Sequence, residues 1–273
     1  KIFYYEPKNL SIINSEVIAK GFFVKFNYDK KNFYKIIKNK NLNLKKSKFI
    51  LIRQDPPFNL EYISTTYILD KIKNNVKIIN NPTSIRNISE KLYSAKYQKF
   101  MPSTIFTKNI DEIKKFLKLK KKIILKKIHS FGGNDIYLVS KFNSRLIKKF
   151  IKKHGHIMCQ KFLSKIHKGD KRIFIINGKI VGAISRIPKK GSFLSNLSKG
   201  GKAINTKITS LEKKIPKKIA YDLKNEKIFF AGIDFIDQKL NGDINVTSPT
   251  GLKTLYDLSR INLAKKFWKE LKA

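Results

Sequence analysis

The sequence holds a single cysteine, Cys159, in 273 residues. One thiol excludes a disulfide within the chain and suits a reducing, cytoplasmic setting. No His or acid is spaced to activate it, and its context, Ile157-Met158-Cys159, is that of a buried core residue. No apolar run reaches the roughly 18 residues that a membrane-spanning helix needs. No signal-peptide pattern is present either. The chain opens on Lys1 and enters an apolar stretch at once, so further residues are expected before it. Arginine is also scarce. Of 60 basic residues six are Arg, and the net charge is +41. Lys, Asn, Ile, Phe and Tyr are abundant together, as A/T-rich codons dictate, and the basic residues run along the whole chain. Base composition acting on solvated faces accounts for this charge without a specific nucleic-acid partner. A salt-sensitive, adventitious attraction for polyanions is still expected.

What is present is a globular composition, 41 % apolar and 12 % aromatic, with length enough for a sizeable core. Short strands are predicted at Ile2–Tyr5, Leu10–Ile13 and Val17–Tyr28, the last interrupted by Gly21. Residues 30–48 offer a weak helical face in Phe33, Tyr34, Ile36 and Ile37. Phe49-Ile50-Leu51-Ile52 reads as a buried parallel strand feeding Arg53-Gln54-Asp55-Pro56-Pro57-Phe58. Function tends to sit on loops past such strand ends. A helix Leu60–Lys73, a strand Val76–Ile79 and a helix with Ile85, Ile88, Leu92 and Ala95 on one face complete an α/β pattern.

Further on, helices are predicted at Ile110–Leu119 and Asn143–Lys153, and strands at Lys122–Ile128, Ile136–Ser140 and Ile157–Leu163. Asn177-Gly178 joins Ile173–Ile176 to Ile180–Ile187 in a hairpin. Residues 189–203 read as a mobile lid. The helices Leu211–Lys227 and Leu255–Leu271 flank an apolar strand, Ile228 to Asp234, a hairpin at Asn241-Gly242, and a returning strand from Asp243 to Val246.

Several residues carry chemistry. Lys126 lies amid apolar neighbours, where an ammonium costs desolvation unless an anion meets it. In a chain so rich in Lys, chance placement accounts for it equally. Gly132-Gly133 lies between two strands and either cradles a phosphate with backbone N–H groups or is a flexible turn. Asp243 and Asn245 share one face of their strand, and Asp234 can join them. The three are either a hard-oxygen set suited to Mg²⁺ or the polar ends of a solvated hairpin.

Taken in order, the motifs resemble those of the prokaryotic glutathione synthetases, within the ATP-grasp superfamily. They are Arg53 to Phe58; Asn80-Asn81-Pro82 with Glu90-Lys91-Leu92; Ile123 to Lys126 before the Gly pair; Gly169-Asp170-Lys171-Arg172; Ser185-Arg186-Ile187-Pro188; Asn196 with Gly200-Gly201; and Ile244-Asn245-Val246-Thr247-Ser248-Pro249-Thr250. The resemblance covers nearly the whole chain.

It implies an α+β ATP-grasp fold, with an α/β pre-ATP-grasp domain over 1–80 that lacks its first strand and helix. Two antiparallel-sheet subdomains would follow, 81–160 with the phosphate loop and 161–273 with the lid and metal site. It implies nucleotide contacts by Lys91, Lys126, Gly132, Gly133, Gln160, Lys161, Phe162, Leu163 and Asp170. Asp234, Asp243 and Asn245 would hold Mg²⁺ (or Mn²⁺), with Arg172 and Arg186 near the phosphates and the acyl substrate. Asp55, Asn196, Gly200, Gly201, Thr247, Ser248 and Thr250 would contact substrates, the last three the acceptor glycine. The implied reaction joins γ-glutamylcysteine to glycine at the expense of ATP, through an acyl phosphate. A homo-oligomer is expected where the N-terminus is complete.

Departures from the family pattern stand out. The central metal ligand is Asp243 instead of Glu, on a hairpin about one residue longer. The lid carries Ser192-Phe193-Leu194 where an acid, a Thr and an Arg are usual. The phosphate loop begins His129-Ser130, where an acidic or aromatic residue and Gly are common.

Overall fold

The computed structural model describes residues 1–27, 32–129, 132–210 and 212–272. Two compact units are present, Lys1–Asn87 and Ile88–Ala273. Tyr28, Ser130 and Leu211, each part of a predicted element or loop, lie outside the described residues.

In the first unit, β1 (Ile2–Tyr4), β2 (Leu10–Ile13), β3 (Glu16–Phe26) and β4 (Tyr34–Asn43) form an antiparallel sheet. β3 is its spine. It runs unbroken through Gly21, where a Cβ would sit 2.2 Å from the Tyr4 carbonyl oxygen. That close approach explains the glycine, which marks contact and not an interruption. Residues 34–43 are a strand, not a helix. Ile36 and Ile37 are exposed among lysines, and β3 pairs with the strand along most of its length. Lysine-rich edge strands resist pairing with other chains, and that composition masks the period-2 signal.

β5 (Phe49–Leu51) pairs in parallel with β6 (Lys77–Ile79). Between them runs α1 (Leu60–Asp70), capped by the Asn59 side chain accepting from Tyr62 N at 3.0 Å. α2 (Pro82–Asn87) packs on α1, with Arg86 donating to the carboxylate of Asp70. The core gathers Val17, Leu44, Tyr62, Leu69, Ile72 and Ile85.

The helix expected to continue to Ala95 stops at Asn87. A separate 3-10 segment, Leu92–Phe100, follows in the second unit, and Leu92 is 42 % exposed instead of facing a core.

The second unit carries two antiparallel sheets. β7 (Thr104–Thr107), β8 (Ile123–Lys127), β9 (Ile136–Val139) and β10 (Ile157–Lys161) are ordered β7-β10-β8-β9. They pack with α3 (Ile110–Lys120) and α4 (Ser144–His154) over Ile113, Leu117, Leu125, Ile147 and Cys159.

β11 (Asp170–Ile176), β12 (Lys179–Ile187), β13 (Lys202–Asn205), β14 (Phe230–Ile236) and β15 (Lys239–Asn245) form the other sheet, ordered β13-β12-β11-β14-β15. α5 (Lys214–Asn225) covers one face, burying Ile219, Ala220 and Leu223 against Ile173, Ile175 and Ile233. On the opposite face α6 (Leu252–Ser259) and α7 (Leu263–Lys272) cover Phe174, Ile176 and Phe230. These two helices replace the single one expected over Leu255–Leu271. They part at Arg260, which adopts left-handed backbone with φ 60°.

One turn differs from expectation with consequences for the site. The β14–β15 connection is Asp237-Gln238, both at positive φ (47° and 64°), and not Asn241-Gly242. Asn241 and Gly242 lie within β15, in a bulge. Ile233 pairs with Ile244 and Phe235 with Leu240, so Asn241, Gly242 and Asp243 together oppose Asp234.

Candidate active site

Strand register assembles the site. α6 and α7 leave one half of their sheet face to polar residues. There Asp170 sits opposite Arg186 across β11–β12, and Arg172 opposite Asp234 across β11–β14. Arg172 donates to Asp234 in a two-pronged pair, Nε to Oδ1 at 2.8 Å and Nη2 to Oδ2 at 2.7 Å. Arg186 grips Asp170 in the same way, at 2.7 and 2.5 Å, and its Nη2 also reaches Asp234 Oδ2 at 3.0 Å. The Ser195 hydroxyl donates to Asp170 at 2.6 Å. All five side chains are buried. Burial alone would raise the Asp234 pKa, but the two guanidiniums outweigh it and hold the carboxyl well below the usual range. The same carboxylates push Arg186 up against the effect of its burial.

A second cluster gathers on Asp243, which feels the charge of Asp234 in the first. Lys91 Nζ lies 3.0 Å from Asp243 Oδ1, and Lys126 Nζ 3.8 Å from Oδ2. Lys126 also donates to the Asn241 carbonyl at 2.8 Å, the Asn241 side chain at 3.0 Å and Gln160 Oε1 at 3.2 Å. Gln160 is fixed in turn by donating to Thr104 Oγ1 at 3.0 Å. Burial lowers the Lys126 pKa, and the neighbouring Lys91 charge adds to this against the pull of Asp243. Burial would raise Asp243, but Lys91 and Lys126 overcome it and keep the carboxyl ionised. Two cations thus converge on one carboxylate beside a second carboxylate.

Asp234, Asp243 and Asn245 come together as a donor set. Asn245 Nδ2 donates to the Gly232 carbonyl at 3.0 Å and approaches Asp234 Oδ2 at 3.4 Å, which leaves its Oδ1 as the acceptor. Asp234 Oδ1 accepts one bond, from Arg172, and keeps a lone pair for a cation. No three His, Cys, Asp or Glu side chains gather into a metal cage among the described residues. A short set of two carboxylates and an amide fits Mg²⁺ that shares its remaining positions with phosphate oxygens and water. The residues fit that ion.

The two sheets approach each other through loops. Gly132 and Gly133 have φ of 61° and 77°, and a Cβ on Gly133 would fall 2.6 Å from Asn196 Oδ1. The glycine turn after β8 therefore abuts the stretch expected to be a lid. That stretch is folded: Leu197–Lys199 is a 3-10 turn, and β13 pairs with β12. Gly201 lies where a Cβ would come within 2.3 Å of the Ser195 carbonyl oxygen, while Gly200 takes φ 84°. Phe193 stacks edge-on to Phe162, ring centroids 6.4 Å apart. Lys161 is exposed, while Phe162 and Leu163 are half-buried. Thr247 and Ser248 are half-buried and Thr250 exposed, in the turn between β15 and α6. Asp55 belongs to the first unit, exposed in the loop after β5, where its charge acts on Arg53.

Some site residues were given no role in the site from the sequence. Glu90 Oε1 accepts from Val246 N at 2.9 Å, Thr247 N at 3.2 Å and Thr247 Oγ1 at 3.0 Å. Its only sequence signal is its place beside Lys91. Asn241, read as a turn residue, and Ser195, within the lid, are the others.

The sequence profile of the prokaryotic glutathione synthetase N-terminal domain matches residues 1–86, and that of the family's ATP-grasp domain matches residues 90–260. The chain belongs to the prokaryotic glutathione synthetase family. A glutathione synthetase of Bradyrhizobium diazoefficiens is 32 % identical over 269 residues, covering 97 % of this chain and 85 % of its own length. One from Buchnera aphidicola is 35 % identical over 271 residues, covering 97 % and 83 %. Among solved structures, a D-cycloserine synthetase superposes with a TM-score of 0.65 at 11 % identity, covering 84 % of this chain and 86 % of that one. The match to the family's ATP-grasp domain and this likeness in fold agree on an ATP-grasp architecture.

Proposed function

We propose that this chain is an ATP-dependent ligase that joins γ-glutamylcysteine to glycine, releasing ADP, phosphate and glutathione. Family membership supports the substrates. The observation that carries the chemistry is a pair of neighbouring ionised carboxylates, Asp234 held by two arginines and Asp243 by two lysines.

In this reading the cysteinyl carboxylate of the dipeptide attacks the γ-phosphorus of ATP. The bond to the β-phosphate oxygen breaks, and an acyl phosphate and ADP form. Glycine's amine then attacks the acyl carbon, loses a proton, and phosphate departs. No protein nucleophile is required, in keeping with a buried Cys159 whose thiol is pushed up to about 12 by burial. The protein's contribution is positioning and charge.

Lys91 and Lys126 receive phosphate oxygens, and an arriving anion relieves the desolvation that Lys126 carries. Gly132 and Gly133 bring backbone N–H groups over the phosphates. Gln160 to Leu163 line the base, and Asp170 sits beside the ribose. Arg172 and Arg186 neutralise the transferring group and the acyl carboxylate. Asp234, Asp243 and Asn245 would hold Mg²⁺, or Mn²⁺ in its place, which when bound supplies further neutralisation of the phosphoryl oxygens. Asn196, Gly200 and Gly201 contact the substrates, and the turn from Thr247 to Thr250 receives the acceptor. Closed over the site, the stretch 189–203 excludes water from the acyl phosphate.

A second reading, a ligase for a different acyl substrate, is favoured by the lid, where Phe193 packs on Phe162 and Leu194 stands where an arginine is usual. ADP release measured with MgATP, glycine and a panel of acyl donors separates the two. Turnover confined to γ-glutamylcysteine supports the first, and preference for a less acidic donor supports the second.

A further inference from the structure

The network contains an element to which the reaction gives no part. Glu90 lies 156 residues before Val246 in sequence, yet its Oε1 collects three bonds from Val246 N, Thr247 N and Thr247 Oγ1. Its own carbonyl accepts from Ile244 N at 3.1 Å. Among the described residues β15 is the edge strand of its sheet, and no strand pairs with its outer side. Glu90 takes the place of such a strand. The next residue, Lys91, pairs with Asp243 at 3.0 Å. One dipeptide thus holds both ends of the segment from Asp243 to Thr247. Burial raises the Glu90 pKa, with the bonds from Thr247 and the charge of Lys91 acting against it.

We propose that Glu90 is the positioning residue of the acceptor turn. Its carboxylate sets the backbone of Val246-Thr247, and the Thr247 hydroxyl proton serves this clamp instead of the substrate. The inference rests on the proposed role of residues 247–250 in receiving glycine. Loss of the acceptor leaves two backbone amides and a hydroxyl without their partner, a cost that corresponds to about tenfold or more in an equilibrium. That cost falls on the turn, whereas the nucleotide contacts proposed for Lys126 and Gly132-Gly133 come from the other sheet, and Lys91 keeps its own pairing with Asp243.

The test compares Glu90→Ala, Glu90→Gln and Thr247→Val in the full chain. All three Glu90 side-chain bonds converge on one oxygen, so the amide oxygen of Glu90→Gln can still accept them. Glu90→Ala is expected to raise KM for glycine about tenfold or more while KM for ATP changes far less. Thr247→Val is expected to show the same pattern at smaller size, and Glu90→Gln to restore most of the wild-type value. In parallel, hydrogen exchange at the Val246 and Thr247 amides is expected to quicken in Glu90→Ala. Equal shifts in both KM values, or no gain from Glu90→Gln over Glu90→Ala, overturn the assignment. If the wild-type chain makes no glutathione, the functional reading fails separately, and unchanged amide exchange in Glu90→Ala then overturns the clamp on its own.

Discussion

Arg172 and Asp234 face each other across adjacent strands and meet through two parallel hydrogen bonds of 2.8 and 2.7 Å. The carboxylate proposed to hold magnesium is therefore also the anion that keeps two buried guanidiniums in place. Asp234→Asn should lower turnover by roughly 10²-fold or more. It should also destabilise the protein by about 3 kcal/mol, because removing one partner strands the other's charge. Chemical denaturation without ligands, read beside the steady-state rate, checks both. An Asp234→Asn protein with unchanged activity removes the metal assignment.

The bulge at Gly242 carries a second prediction. Three residues of β15 oppose Asp234, and Gly242 takes φ 86°, which glycine adopts at little cost. We propose that the extra length offsets the short reach of Asp243, at the position where the resemblance leads one to expect Glu. Deleting Gly242 should raise the Mg²⁺ concentration for half-maximal rate, and adding Asp243→Glu to the deletion should recover it. An unchanged Mg²⁺ dependence in the deletion alone argues that Asp243 does not reach the ion.

The lid offers a third. The resemblance implies an arginine at the position of Leu194, and we propose that such an arginine would meet the acidic dipeptide. Leu194→Arg is expected to lower KM for γ-glutamylcysteine several-fold, about 1 kcal/mol for a partly exposed charge pair, with KM for ATP unmoved. A rise instead would show that the apolar lid is matched to another acyl donor.

Cys159 supplies a check on the chemistry. Burial pushes its thiol up to about 12, so almost no thiolate exists at pH 8. A disulfide reagent should leave the folded protein unlabelled and active at that pH, and should label it fully on unfolding. Fast labelling that abolishes turnover would reopen covalent catalysis.

The site was legible where its residues are close in sequence. Spacing put Asp243 and Asn245 on one face of a strand, whereas the roles expected of Asp170, Arg172 and Thr247 to Thr250 came only from the resemblance of their motifs to the family's. Glu90 was not legible as a clamp, because its partners lie more than 150 residues away. Asn241-Gly242 was expected in the hairpin turn, yet Asp237-Gln238 takes it, a register that keeps Leu240 and Ile244 inward. In β4, alternating lysines and asparagines hid a strand on a solvated edge. The helix break before Lys91 follows from tertiary demands: Glu90 and Lys91 must reach β15, which a continued helix would prevent.

The central claim is carboxylate activation by ATP at this site, and isotope transfer tests it most directly. γ-Glutamylcysteine labelled with ¹⁸O in its cysteinyl carboxylate is incubated with MgATP and glycine, and the released phosphate is analysed by mass. The account expects glutathione to form with one ¹⁸O carried into each phosphate. Unlabelled phosphate, or ADP release without glutathione, would contradict it.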